Sequence, residues 1–180
     1  MKAEDSKQST IALLRNVIMS EMELEDEQIA IYNQSWLLPK DDGVHVAVQF
    51  LGAMPFSSRS WVDSTGGIEV QDLNMSEMYQ IKIMSRNEDA LFRKHEVLWA
   101  LASQYGQQVQ EANSFSVAPI SHGFSDVSEV EGVARLNVFV ITVEVLAWYQ
   151  KTKVAKFYDS FSFEERTDIM PAAVVVQNHP

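Results

Sequence analysis

The stretch from Arg135 to Tyr149, RLNVFVITVEVLAWY, constrains the fold more than any other part of the chain. Phe139, Ile141, Val143 and Val145 would share one face of a strand. Leu136, Val138, Val140 and Leu146 would share the other. A strand apolar on both faces is expected in the middle of a sheet, covered on both sides by helices or by a neighbouring subunit. It is also longer than most strands, so a bulge or an overhang is expected. It is too short and too β-branched to be a membrane span.

Other strands surround it in sequence. Val44 to Leu51 alternates, with Val44, Val46, Val48 and Phe50 on one face and His45, Ala47, Gln49 and Leu51 on the other. Ser76 to Arg86 alternates too, with Tyr79, Ile81 and Ile83 facing one way and Gln80, Lys82, Met84 and Arg86 the other. Ile29 to Leu38 suggests a short strand ahead of the turn Pro39 to Gly43. Phe115 to Phe124 is a strand candidate kinked at Pro119, followed by an acidic turn from Asp126 to Gly132. Phe157, Phe161 and Phe163 would lie on one face of a last strand. Residues 164–180 lose the pattern and read as a tail, loose or docked on a partner.

Two helices are expected. The first starts at Ser9 or Thr10 and runs through Ile11, Leu14, Ile18 and Met22. The second is capped by Asn87 and buries Leu91, Leu98, Ala102 and Tyr105, flanked by Phe92, Trp99 and Leu101. Gly106 stops it, and Gln107 to Asn113 is polar linker. The chain is thus an α+β domain over residues 1–163, with a mixed, mainly antiparallel sheet flanked by two helices.

Met54 to Asn74 is polar, carries Trp61, and has Gly66-Gly67 as a hairpin turn. It reads either as a projecting β-hairpin arm or as an ordinary hairpin folded onto the domain. If it projects, Trp61 and Val62 are better buried by a partner chain. The sheet has more apolar surface than two helices can cover, which points to an oligomer.

Composition narrows the chemistry. Among 180 residues there are 14 Lys+Arg against 25 Asp+Glu, a net charge of −11, and no cysteine. Cysteine-based metal, redox and nucleophile chemistry is therefore excluded. An acidic chain is a poor default binder of DNA or anionic lipid. Met1 to Thr10 has no signal-peptide pattern, and a soluble protein is expected. No phosphate-loop, dinucleotide, nucleophile-elbow or HExxH motif occurs. His45 and His95 read as structural histidines. His122 with Asp126 is the one pair suggesting a metal-dependent hydrolase. The acids gather in two places: Glu21, Glu23, Glu25, Asp26 and Glu27, and then Asp126, Glu129 and Glu131. Each cluster is either a solvated face or a negative patch turned towards something that must not stick.

The order of these elements resembles the bacteriophage tail terminator or neck (tail completion) proteins. The resemblance is carried by ALLRNVI (Ala12 to Ile18) before an acidic linker, and by Tyr32-Asn33-Gln34 with Pro39 before the strand Val44 to Leu51. It continues in the strand–break–helix block Tyr79 to Ala102 and in the Val-rich closing strand Arg135 to Leu146. It spans roughly residues 10 to 150. The long arm at 54–74 and the C-terminal tail depart from the family pattern.

The resemblance implies a non-enzymatic structural protein of the virion tail or neck, assembled in the host bacterial cytoplasm. It implies a homo-oligomeric ring, commonly a hexamer, needing no cofactor. The ring would cap the tail tube, stop its polymerisation and dock the head-completion or connector protein. DNA would pass through without specific binding. On that reading Trp61, Val62, Phe157, Phe161 and Phe163 are candidate subunit-interface residues. The two acidic clusters are candidates for the lumen or rim. Another head–tail joining ring or a tail-tube subunit is the alternative within the class. The His122/Asp126 hydrolase is the alternative outside it.

Overall fold

The computed structural model describes residues 9–31, 41–63, 67–120, 123–131 and 134–154. His122, Phe157, Phe161, Phe163, Tyr32-Asn33-Gln34 with Pro39, and the tail at 164–180 lie outside the described residues.

The chain is α+β. Its elements are α1 (Thr10–Glu21), β1 (Ile29–Ile31), β2 (His45–Asp63), β3 (Ile68–Ser85), α2 (Asp89–Arg93), α3 (Glu96–Ala102), α4 (Gln104–Ala112), β4 (Phe115–Val117), β5 (Ser125–Asp126), β6 (Glu129–Glu131) and β7 (Ala134–Val154). The sheet runs β1-β2-β3-β7-β4, with β5 and β6 also pairing β7. β1 is parallel to β2, and every other pair is antiparallel.

Helix α1 forms where expected. Leu13, Leu14, Val17 and Ile18 are buried on one side of it. Leu13, Leu14 and Ile18 share one core with Val46 and Val48 of β2, Ile81 and Ile83 of β3, and Ile141, Val143 and Val145 of β7. A fully buried side chain of this size contributes about 1.5–3 kcal/mol. Arg93 of α2 donates from Nη2 to the Met22 carbonyl at 2.7 Å and binds Glu96, which ties the second helical layer to the end of the first.

The second helix differs from expectation in three ways. It is broken into α2, α3 and α4, and it runs through Gly106 to Ala112. The break before α4 is at Ser103, whose extended backbone lets its Oγ accept the Gly106 N–H at 2.9 Å. Gly106 is not a stop but a close approach: a Cβ there would meet the Ala100 carbonyl oxygen at 2.5 Å. The cap before α2 also changes hands. Ser85 Oγ accepts the Ala90 N–H, while Asn87 closes a local turn onto Asp89.

The buried side of these helices matches the expected one only in part: Leu98 packs on the core and Leu101 is buried, but Ala102 is exposed. Ala90, Val97, Ala100 and Leu101 face the core. Leu91 and Tyr105 are exposed, and Phe92 and Trp99 are 69% and 71% exposed.

The long closing strand is longer than its pattern, reaching Val154. Its Phe139–Val145 face is buried under the helices as expected. No helix among the described residues covers its second face. Val138 joins Ala47 and Met84 in a small cluster with Leu136 and Val140 beside it, while Glu144 is exposed. Phe115 to Phe124 holds only three strand residues, β4. The expected acidic turn instead contributes β5 and β6, which cover the outer edge of β7.

Candidate functional site

The segment 54–74 is not a separate hairpin. β2 and β3 are continuous through it, paired from His45↔Met84 to Asp63↔Ile68. β7 follows β3 along its whole length, from Ser85↔Asn137 to Ile68↔Val154. The arm is therefore three-stranded, built from residues 54–63 of β2, 68–74 of β3 and 148–154 of β7, and none of these is among the residues of the helix-covered core.

Period-two alternation assigns its faces. One face carries Met54, Arg59, Trp61, Ile68, Val70 and Trp148; the other carries Val62, Leu73, Glu69, Tyr149, Lys151 and Lys153. Two register shifts in β2 leave Leu51 and Phe56 without a partner on β3, and both are exposed. Trp61 is 37% exposed and lies under the Arg59 guanidinium, 5.3 Å from ring centroid to Cζ. Val62 is exposed as well. On the opposite face, Glu69 accepts from Gln71 and Ser60 and pairs with Lys153 at 3.1 Å. The Gln71 hydrogen bond, followed by Lys153, holds the Glu69 carboxyl below its ordinary pKa.

Both arm edges are open among the described residues. β1 pairs β2 only at Val46 to Val48. On the other side β4 ends opposite Ala147, and one more bond, Trp148 N–H to the Ser114 carbonyl, closes the pairing. An open edge beside exposed aromatics is a template for another chain.

The acidic residues lie elsewhere. Glu21, Glu23, Glu25, Asp26 and Glu27 are exposed between α1 and β1. Two of them also shape the turn: Asp26 binds Arg15 Nη2 at 2.5 Å, and Glu25 forms a capping box with Gln28. Asp126 and Glu129 are exposed on β5 and β6, where Glu131 ends β6. The Asp126 carboxylate accepts the Ser128 N–H and hydroxyl, a turn-closing role. One row of the sheet, Ile29–Val46–Ile83–Phe139–Asp126, links the two acidic places across the core. They flank the core sheet on opposite edges, and the arm lies beyond them.

Among the described residues no group of three His, Asp or Glu side chains comes together to hold a metal. His45 is buried and bonded to Asp41 at 2.6 Å, which, with the Gly43 N–H, keeps the Asp41 carboxyl below its usual value. His95 is exposed, with its ring edge-on to Phe124.

One cluster escaped the sequence reading. Glu77 is buried at the foot of the arm and accepts from Tyr79 Oη and Tyr149 Oη, both at 2.5 Å. Desolvation first, and the Glu77 hydrogen bond second, push both phenols above their ordinary pKa. The signal was available: alternation from Tyr79 back by two puts an acid on the buried face of β3. Comparison with protein-family models and with curated protein sequences returned no match. Among the described residues no helix is long and apolar enough to cross a membrane.

Proposed function

We propose that this chain is a structural virion protein of a tailed bacteriophage, a tail terminator. It assembles into a hexameric ring that caps the tail tube, stops its growth and joins it to the head connector. The observation that carries this reading is the three-stranded arm, whose edges are open among the described residues and whose Trp61 and Phe56 are exposed. Such a surface gains most when a neighbour buries it, and aromatic anchors supply much of the interface energy. Two different edges on one protomer suit a head-to-tail contact, the kind that closes into rings.

The acidic places support the second half of the reading. A lumen lined by Lys or Arg would bind phosphates and slow DNA, whereas carboxylates repel the backbone. Exposed Glu21, Glu23 and Glu27 with Asp126 and Glu129 are the residues for that lining or its rim. The protein works without catalysis on this reading.

Negative-stain microscopy of the purified full chain, with and without its tail-tube partner, tests the proposal. Single rings are expected. Long tubes would make it a tube subunit, and a monomer even with the partner would overturn the ring. Trp61→Ala should lower the assembled mass by light scattering while leaving the circular dichroism spectrum unchanged. An unchanged oligomer would remove the arm from the interface.

A further inference from the structure

The foot of the arm holds a cavity of about 400 Å³, lined by Thr10, Phe50, Glu77, Tyr79, Ser114 and Tyr149 among others. That is at the lower end of the range for small-ligand sites, roughly 300–1,000 Å³. At its wall lies a buried carboxylate for which no described residue supplies a cation. Glu77 has a hydrogen bond on each oxygen, but both come from neutral phenols. Both phenols hold their protons more firmly than usual, so they act as donors and Glu77 as the acceptor. The N-terminal end of α1 at the rim adds only about half a positive charge. A carboxylate can take further donors beyond these two. The walls are aromatic, with Phe50 edge-on to Tyr79 at 5.6 Å between ring centroids.

Among the described residues the cavity lining carries one carboxylate and no cation, and aromatic walls beside a carboxylate suit a cation, a planar one best. Guanidinium combines forked hydrogen bonding to carboxylate with stacking on rings, and it is more weakly hydrated than ammonium, so it enters such a site at lower cost.

We infer that this cavity is a guanidinium site, and that in the assembly it is filled by Arg59 from the arm of a second copy. Arg59 is exposed on the arm, lies over the Trp61 ring, and forms no ion pair among the described residues, although Asp72 is its neighbour across the strands. Arg59 and Trp61 then enter the neighbour as one unit, with the ring beside the rim and the guanidinium on Glu77. The choice of a second copy as donor rests on the ring reading above; the cavity chemistry does not.

The test uses the full-length chain as the Arg59→Ala variant, which leaves the cavity free of the neighbour's side chain, with labelled methyl groups. n-Propylguanidinium is titrated against its neutral isostere n-propylurea. The Ile11 and Ala147 methyls, which line the cavity, should shift saturably with the cation only. Adding Glu77→Gln should weaken binding about tenfold or more, since a charge-assisted hydrogen bond is lost. Adding Glu69→Gln instead, which removes a carboxylate from the same strand outside the cavity, should preserve binding. Equal shifts with the urea, or none with the guanidinium, would overturn the site. Arg59→Ala should also reduce assembly, and assembled wild type should exclude the probe. Full assembly of Arg59→Ala would overturn Arg59 as the occupant. A wild type that never assembles would sink the ring reading, while the titration would still decide the cavity.

Discussion

Ile81, Glu77, Leu73 and Glu69 point to the same side of one strand, β3, and meet four different fates. Ile81 is fully buried with Leu14, Ile18 and Val97. Glu77 is buried between two phenols at the cavity. Leu73 and Glu69 lie beyond, Leu73 exposed and Glu69 in a small polar network. The β3–β7 ladder runs from Ile68 to Ser85 with no register shift, so the backbone is alike throughout. What changes is the cover. The helical layer reaches as far as Thr10 at Glu77, and past that row nothing described lies on top. Pairing makes the sheet, but only the helices make a core.

The largest test of this contrast is Ile81→Ala, expected to cost about 2–5 kcal/mol in urea unfolding because it opens a cavity under the helices. Gly106→Ala probes the same layer from above. Its new methyl would press on the Ala100 carbonyl, and about 1–3 kcal/mol of thermal stability should go. Leu73→Ala, read on unassembled protein, should cost under about 1 kcal/mol. A loss equal to that of Ile81→Ala would mean the arm is core after all.

Proton linkage sharpens the contrast further. Tyr79 holds its proton above the ordinary phenol value of about 10. Above that pH the unfolded chain ionises while the folded one does not, so stability falls as pH rises through the folded value. Tyr79→Phe should reduce this alkaline sensitivity in thermal melts, leaving the part that belongs to Tyr149. Glu69 has the opposite sign and a smaller effect: its depressed pKa adds stability at neutral pH that is lost as pH falls through the folded value. The difference in melting temperature between Glu69→Gln and wild type should therefore shrink in acid. A difference that persisted at low pH would separate Glu69 from its charge partner Lys153.

Much of the helix-covered half was legible from periodicity. Leu14 and Ile18 on α1 and the Phe139 to Val145 face announced themselves, because burial on one side imposes a period. The arm half of β7 did not: Gln150, Lys151, Thr152 and Lys153 are exposed on both faces, and a solvated strand needs no alternation. The segment Gln104–Ala112 misled for a related reason. Its polar residues read as linker and its glycine as a stop, whereas Gly106 is there for a close packing contact that no local pattern encodes. Trp61 stood out as an exposed anchor. Phe56 and Leu51 did not, since a bulge shifts the alternation by which faces are read.

Those two bulges have a further consequence for the chain before it meets its neighbours. A long, flat, apolar strand edge is a seed for fibrils. β2 bends at Leu51 and again at Phe56, and between them Pro55 has no N–H to offer. An incoming strand from a stray chain cannot run straight along such an edge, so growth by repeated strand addition is blocked at its centre.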